Sequence, residues 1–196
     1  IPFGGAKGGI EVNPKELSPR EIEELSRGYV RALFLELGPK IDISGPDMYT
    51  NPQIMGWMMD EYSRMRGYTS PASFTGKPVE TGGIVGRDTA TADGGLIALE
   101  KVRGISGKNA SDMHVAVQGF GNAGFNFARA AHNAGYTIVA VSDSKGGIRA
   151  KNGASIDPNV VMENKKEKGL IDGMYCVESV CDTENYEAIS NDALLE

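Results

Sequence analysis

The sequence predicts an α/β protein built in two parts, and three observations support this. Glycine is frequent, 26 of 196 residues, and it is clustered, which is typical of tight turns and of backbone close to a ligand. Residues 113–141 have the pattern of a strand, a glycine turn, a helix and a second strand. Residues 67–86 are rich in helix-breaking residues. They indicate a boundary between a first domain, residues 1–80, and a second domain, residues 81–196.

The first part begins with a well-marked helix. Ser18 and Glu21 have the spacing of a capping box, and Pro19 suits the first turn. Apolar residues then recur at helical spacing as far as Leu37, and Gly38-Pro39 ends the pattern. We therefore expect a helix over residues 18–37.

A second helix is expected from Asn51-Pro52 to Gly67. One of its faces is apolar and suited to core packing, because methionine fills irregular gaps; it carries Met55, Met59, Tyr62 and Met65. Between the two helices, residues 41–43 alternate between apolar and polar residues, which predicts a short strand.

In the second part, a helix is expected over residues 87–102, although Gly94-Gly95 weakens it and permits close backbone approach. Strands are expected at residues 113–118 and 137–141, with a helix at 123–134 between them. The helix face expected to meet the sheet carries Ala128, Ala131 and Ala134. The basic cluster at residues 165–168 is interpreted as a solvated helix face.

A glycine motif lies between the first of these strands and the helix, and consists of Gly119, Phe120, Gly121, Asn122, Ala123 and Gly124. In this G-x-G-x-x-G pattern the first glycine permits the turn, the second lets the main chain approach a pyrophosphate, and the third lets helix and strand pack closely. The helix start offers N–H donors to phosphate. Asp143 follows the motif by about 20 residues, where an acid can bind ribose hydroxyls. The pattern predicts a partial Rossmann-type dinucleotide-binding domain; the alternative is a bare glycine turn.

The choice of coenzyme between NAD and NADP stays open. Asp143 favours NAD because a carboxylate repels a 2′-phosphate, whereas the neighbouring Ser144 and Lys145 offer groups that could hold one.

Lys7 is flanked by four glycines, and we expect it to point into a cleft where burial lowers its pKa. Asp47 follows the predicted strand at residues 41–43, and an acid beside such a lysine makes a proton-transfer pair. The alternatives are an incidental lysine in a surface loop and an aspartate that caps a turn.

Two further candidates lie near the domain boundary. Arg87 offers a fork for a carboxylate or phosphate, and Thr91 offers a hydroxyl at a helix start. Plain helix capping is the alternative for this segment.

Together these segments resemble the glutamate/leucine/phenylalanine/valine dehydrogenase family, in one unbroken order. Lys7 matches the catalytic lysine of the family's signature, Asp47 its catalytic aspartate, and Thr91 a threonine near the nicotinamide amide. The matching segments are residues 2–10, 13–14, 46–47, 57–63, 75–78, 82–91, 119–124 and 142–147. One departure is Ala92, where the family usually has glycine.

The resemblance implies a partial α/β substrate domain before the dinucleotide domain, and reversible oxidative deamination of L-glutamate to 2-oxoglutarate and ammonia with NAD or NADP. It implies that Lys7 helps water attack the imino carbon and that Asp47 carries protons to and from the nitrogen. Arg87, like Lys7, is a candidate for contact with the substrate. A cytoplasmic homohexamer is the expected assembly.

Composition excludes several other classes of protein. Apolar residues make up 40% and charged residues 23% of the chain, which is typical of a globular protein. No apolar run suits a membrane span, and the net charge of −6 argues against a nucleic-acid partner. Cys176 and Cys181 are expected as free thiols. No metal site is expected, because His114 and His132 are not spaced to join them.

Two rival interpretations remain. One is a sister enzyme of the family acting on leucine, valine or phenylalanine; the other is a catalytically inactive nucleotide-binding paralogue or fragment. Because the chain begins with Ile1 and carries only some of the family's substrate-binding segments, we expect an internal piece of a longer protein. By itself that piece is expected to be inactive.

Overall fold

The computed structural model describes residues 4–195, and the chain divides into two compact units, Ile1–Arg87 and Asp88–Glu196. Each unit has its own hydrophobic core. Among the described residues, no helix is both long and apolar enough to span a bilayer. The division of function between residues 1–80 and 81–196 stays a prediction.

The first unit is built around two packed helices, α1 (Pro19–Ala32) and α2 (Pro52–Arg66). The predicted capping box is confirmed, since the Ser18 side chain accepts from the Glu21 amide and the Glu21 carboxylate accepts from Ser18. Helix α1 ends earlier than expected, because the chain turns at Leu33. The turn places Leu37 in the core, where its carbonyl accepts a hydrogen bond from the buried Tyr62 hydroxyl at 3.0 Å.

Helix α2 has both predicted ends. The Asn51 side chain accepts from the Ile54 amide at 3.0 Å, and Gly67 has the left-handed conformation that ends a helix. Three of the four residues predicted on its apolar face are buried, namely Met55, Met59 and Tyr62. The fourth, Met65, is exposed, so this part of the prediction is wrong.

The strand predicted at residues 41–43 is wrong. The described part of this unit contains one isolated parallel bridge, between Ser44 and Phe74, and no strand. Ile41 and Ile43 are exposed. A strand needs a partner strand for its backbone hydrogen bonds, but in the described part of the unit the Asp42 carbonyl accepts from the nearby Gly38 amide at 2.9 Å, as in a local turn.

Four charged side chains join α1 to α2. The Glu61 carboxylate is buried, with 2% of the side chain exposed, and it accepts hydrogen bonds from Arg31 at 3.0 Å and from Arg64 at 2.5 Å. Arg27 approaches it at 3.5 Å. Hydrogen bonding by Arg64 outweighs burial and holds the pKa of Glu61 below its ordinary value of 4.5.

We expect Glu61→Gln to lower the free energy of unfolding at pH 7 by about 2 kcal/mol, a discounted value because the arginines are partly solvated. Since the folded-state pKa is lowered, the contribution is complete above about pH 5 and is lost as the pH falls through that folded-state value. Urea unfolding at several pH values measures it. Glu24→Gln, which removes a surface partner of Arg31, is the control and should change stability by less than about 0.5 kcal/mol. An equal loss in both variants would contradict the prediction.

The second unit contains a four-stranded sheet made of β1 (His114–Gln118), β2 (Thr137–Asp143), β3 (Gly146–Ala150) and β6 (Tyr186–Ile189). These strands lie in the order β1-β2-β3-β6. Strands β1 and β2 are parallel, and the other pairs are antiparallel. A separate hairpin joins β4 (Tyr175–Val177) and β5 (Val180–Asp182).

The predicted strand–helix–strand order is confirmed, because α4 (Asn122–Asn133) connects β1 to β2. Ala128 and Ala131 are fully buried in the core beside Val117 and Ile138. Ala134 was expected on the same face, but it lies exposed at the end of the helix.

Helix α3 (Ala90–Ser106) precedes β1 and packs on α4. One of its paired glycines permits close approach: a Cβ added at Gly95 would lie 3.0 Å from the ring of Phe127 on α4. A Cβ added at Gly94 would meet no atom within 4 Å. The expectation of close packing is therefore confirmed for Gly95 alone.

The two cysteines are not free thiols, which corrects the sequence-based expectation. Cys176 and Cys181 are directly opposite each other in the β4–β5 hairpin and form a disulfide. The sequence shows the spacing of five residues, but only the antiparallel register brings the two side chains together.

Candidate active site

The glycine turn lies at the carboxyl end of β1. Gly119 has a φ of 93°, a left-handed conformation that favours glycine, and its N–H donates to the Ser142 carbonyl at 2.8 Å. A Cβ added at Gly124 would collide with the Gly119 carbonyl oxygen. A Cβ at Gly121 would meet no atom within 4 Å, so this face of the turn is open. The turn therefore has a closely packed side and a side with room for a ligand.

Helix α4 begins at this turn. Its N-cap, Gly121, contributes no side-chain cap, so main-chain N–H donors at the helix start are available to an anion. Ala123 is exposed in this first turn, whereas the ring of Phe120 is buried against Phe125. Phe120 was predicted to bind the cofactor, but because its ring is buried it can offer a cofactor only its main-chain groups.

The Asn122 side chain connects α4 to the segment before α3. It donates to the Asp88 carbonyl at 3.1 Å, and Asn126 donates to the Asn122 carbonyl at 3.0 Å. Thr91 lies exposed in the first turn of α3, and the methyl group of Ala92 beside it is buried. These contacts join Asp88, which lies just before α3, to the start of α4 within the same unit.

Asp143 is the last residue of β2 and lies next to the turn, because the parallel register pairs Gln118 with Ser142. Its Oδ1 accepts from the Lys145 amide at 2.8 Å, and its Oδ2 lies 2.8 Å from the Lys165 Nζ. Burial opposes ionisation of Asp143, but hydrogen bonds from Lys165 and Lys145 outweigh it and hold its pKa below the usual value. The carboxylate is therefore ionised and paired.

Lys165, which the sequence assigned to a solvated helix face, is largely buried in this site, with 23% of its side chain exposed. It lies on α5 (Pro158–Lys168), and its Nζ also donates to the Phe120 carbonyl at 2.8 Å. Ser144 and Lys145 are exposed in the tight turn between β2 and β3. No linear motif marks Lys165, because only the placement of α5 brings it to the ends of β1 and β2.

Lys7 and Asp47 come together in the first unit. The Lys7 Nζ donates to the Asp47 Oδ2 at 2.5 Å, although the two residues are 40 positions apart. Residues 4–13 have no regular structure, and Gly8 lies so close to Tyr29 of α1 that an added Cβ would overlap the tyrosine hydroxyl. Pro2 and Phe3, which begin the signature segment, lie outside the described residues.

The loop that carries Asp47 is held on both sides. The Asp47 amide donates to the Thr50 hydroxyl at 2.6 Å, and Asp47 Oδ1 accepts from the Met48 amide at 2.8 Å. The Lys7 hydrogen bond, followed by the Met48 amide, lowers the pKa of Asp47. A neighbouring segment supports this loop, since the Thr75 amide donates to the Ser44 carbonyl at 2.9 Å.

The expected burial of Lys7 is not observed. Its side chain is 86% exposed and that of Asp47 is 59% exposed, because the glycine-rich loop lies on the surface of its unit. The buried lysine of this region is Lys77, which donates to the Phe74 carbonyl at 2.8 Å and whose pKa is lowered by burial. Sequence reasoning placed Lys77 in the matching segments but missed its burial.

Arg87 is the last residue of the first unit and is half-buried. Its amide donates to the Ile84 carbonyl at 3.3 Å. Thus Lys7, Asp47 and Arg87 belong to one unit, whereas Thr91, the glycine turn, Asp143 and Ser144 belong to the other. Within residues 4–195, no group of three or more His, Cys, Asp or Glu side chains could hold a metal ion.

The parallel β1–α4–β2 arrangement, with a glycine turn after β1 and a carboxylate at the end of β2, defines the second unit as a dinucleotide-binding type of α/β fold. Comparison with known families agrees. The chain belongs to the Glu/Leu/Phe/Val dehydrogenase family: the Glutamate/Leucine/Phenylalanine/Valine dehydrogenase model matches residues 82–196, more than half of the chain. The family's dimerisation-domain model matches residues 1–64. The resemblance and the α/β fold class predicted from the sequence are confirmed.

Individual relatives are glutamate dehydrogenases. The chain is 49% identical over 195 residues to the NADP-specific glutamate dehydrogenase of Synechocystis, of which it covers 45%. It is 41% identical over 196 residues to the catabolic NAD-specific enzyme RocG of Bacillus subtilis, of which it covers 43%. Each alignment includes the whole of this chain. The chain thus spans less than half the length of these curated relatives.

A solved structure is similar as well. Hetero-hexameric glutamate dehydrogenase from Thermus thermophilus, in its Leu-bound form, superposes with a TM-score of 0.81 at 41% identity. The superposition covers 86% of this chain and 40% of that chain.

Proposed function

We propose that the protein catalyses reversible oxidative deamination of L-glutamate to 2-oxoglutarate and ammonia, with NAD or NADP as hydride acceptor. The observation that carries the proposal is the ion pair between Lys7 Nζ and Asp47 Oδ2 at 2.5 Å. It joins two separate segments of a chain that also contains a dinucleotide-type turn. The names of the relatives, which include NAD-specific and NADP-specific glutamate dehydrogenases, support the substrate and the coenzymes.

Residues of the second unit fit the coenzyme. The open face at Gly121 and the uncapped start of α4 suit a pyrophosphate, and Asp143 with Ser144 suits the adenosine ribose. The bound nicotinamide would supply the hydride acceptor and donor. Thr91 is proposed to hold its amide group. Each role for these side chains is inferred from position on the fold and from family membership.

Residues of the first unit are proposed to carry out the proton chemistry. Asp47 is ionised at neutral pH, as an ordinary aspartate is, and Lys7 and the Met48 amide favour this form by lowering its pKa. As a carboxylate it is proposed to accept a proton from the substrate ammonium group. Lys7, as an ammonium ion, can stabilise negative charge on the oxygen that forms when water adds to the imino carbon. Arg87 is proposed to contact a substrate carboxylate.

The test is steady-state kinetics of the full-length protein with glutamate and either NAD or NADP. Leucine, valine and phenylalanine are the matched competitors. Faster turnover of leucine than of glutamate would favour the sister-enzyme alternative. Retained nucleotide binding without turnover of any amino acid would favour an inactive paralogue.

The proposal includes a homohexamer, supported by family membership and by the hexameric state named for the Thermus thermophilus structure. Light scattering of the full-length protein should give six subunits, and a monomer would exclude this part of the proposal. The cytoplasmic location expected from the sequence stays a prediction.

A further inference from the structure

Residues 74–76, here called the backing segment, lie along the loop that carries Asp47. Phe74 forms an isolated parallel bridge with Ser44, and the Thr75 amide donates to the Ser44 carbonyl at 2.9 Å. Phe74 is fully buried and belongs to the core of the first unit. The backing segment therefore joins the Asp47 loop to that core.

The two segments are also in close contact nearer to Asp47. A Cβ added at Gly76, which has a φ of 76°, would lie 2.7 Å from the Cγ and Cδ atoms of Pro46. A Cβ added at Gly45 would lie 2.9 Å from the Thr75 methyl group. Because Pro46 directly precedes Asp47, a shift of the backing segment would also move the Asp47 carboxylate.

Lys77 follows the backing segment and holds it in place. Its Nζ donates to the Phe74 carbonyl at 2.8 Å, and only 9% of the residue is exposed. The parallel bridge uses the Ser44 carbonyl, so within the described residues the buried Phe74 carbonyl is satisfied by Lys77. A buried carbonyl without a partner is costly. Loss of the ammonium group would therefore favour movement of the backing segment toward water.

The charge of Lys77 is expensive at this position. Burial lowers its pKa, and within residues 4–195 no nearby carboxylate offsets that effect. A buried cation without an ionic partner lowers the stability of a fold. A group that costs stability is typical of a functional site, which indicates that Lys77 does more than fill space.

We propose that Lys77 is a positioning residue for Asp47: it binds the Phe74 carbonyl, fixes the backing segment and thereby keeps the Asp47 carboxylate within reach of Lys7. This inference rests on the proposed function, in which Asp47 carries protons to and from the substrate nitrogen. Lys77 acts through Asp47 and not by contact with the substrate.

The test is Lys77→Met in the full-length protein, because methionine has a similar volume and cannot donate to the Phe74 carbonyl. The kcat for glutamate oxidation should fall by about tenfold or more, since a small displacement of a proton-transfer group slows the reaction strongly. The KM for the coenzyme should stay within about twofold, because Lys77 belongs to the first unit and the glycine turn to the second.

The pH profile of kcat/KM distinguishes a positioning role from a structural one. Lys7 is the main cause of the low pKa of Asp47, so a loop that moves away from Lys7 raises that pKa toward its ordinary value. The acidic limb of the profile, where Asp47 becomes protonated, should therefore lie at higher pH in Lys77→Met than in the wild type. A loss of folded protein would lower the rate equally at every pH and would not move the limb.

Two further variants complete the test. Lys40→Met makes the same substitution at an exposed lysine of the first unit and should leave both kcat and the acidic limb unchanged. Gly76→Ala disturbs the same contact from the other side, because the added methyl group would push against Pro46. It should lower kcat and move the acidic limb in the same direction as Lys77→Met.

A wild-type kcat in Lys77→Met, or a lower kcat with an unmoved acidic limb, would overturn this inference and leave the proposed function intact. If the wild-type protein does not turn over glutamate, both proposals fail. Should Lys77→Met not fold, Gly76→Ala decides, because an unchanged kcat and an unmoved limb in that variant contradict the inference.

Discussion

Replacement of Lys7 by alanine should lower kcat for glutamate oxidation by about a thousandfold, the scale of a lost acid–base or electrostatic group. The variant removes the ammonium group that lies 2.5 Å from Asp47. It should also raise the pKa of Asp47 toward its ordinary value, because Lys7 is the main cause of the lowering. Steady-state kinetics of the full-length protein measures the loss.

The fold should tolerate this change. Lys7 is 86% exposed and lies in a loop without regular structure, so removal of its side chain creates no cavity. Coenzyme binding, followed by the fluorescence of NADH, should stay within about twofold, because Lys7 belongs to the first unit and the glycine turn to the second. Lys15→Ala, at another exposed lysine of the same unit, should leave kcat unchanged. A Lys7→Ala variant with wild-type turnover would remove Lys7 from the mechanism.

Gly124→Ala is expected to have the second large effect, on both stability and nucleotide binding. An added Cβ would overlap the Gly119 carbonyl oxygen and lie 2.9 Å from its carbonyl carbon. Because these are backbone atoms of the turn, they cannot move aside without shifting α4 against β1. We expect the free energy of unfolding to fall by about 3 kcal/mol, as for overpacking in a tight core. We also expect 5′-AMP affinity to fall by about a hundredfold or more, because the donors at the helix start move.

Gly121→Ala is the matched control for Gly124→Ala. A Cβ at Gly121 would meet no protein atom within 4 Å, so the free energy of unfolding should change by less than about 1 kcal/mol. The added methyl group would occupy the open face proposed for the pyrophosphate, and binding of NADH should still weaken. Urea unfolding and calorimetric titration distinguish the two variants. Equal stability of Gly124→Ala and the wild type would contradict the packing argument.

Local interactions explain what could be predicted from the sequence. A helix end depends on a few adjacent residues. The caps at Ser18 and Asn51 were therefore predictable from their polar side chains, and the helix end at Gly67 was predictable because glycine has no side chain. The strand–turn–helix pattern around Gly119–Gly124 was predictable for the same reason, because Gly119 takes a left-handed φ and Gly124 packs against the Gly119 carbonyl within the turn itself.

The features that could not be predicted from the sequence depend on pairing between distant segments of the chain. Residues 41–43 alternate like a strand, but a strand exists only where a second one supplies hydrogen bonds. Cys176 and Cys181 meet because the hairpin register places them opposite each other. Lys7 was expected in a dry cleft, yet glycines permit a loop to lie on a surface as readily as in a cleft.

Short motifs were enough to predict the helix caps, the glycine turn and the family. The contact between Lys7 and Asp47, which are 40 positions apart, was expected from the family resemblance and not from a local motif. Only the tertiary structure decided that Lys165 meets Asp143 and that Lys77, not Lys7, is buried. The physical reason is that the burial and charge environment of a side chain depend on elements packed against it. Which elements pack against a given side chain is determined by the fold of the whole unit and not by the neighbouring residues along the chain.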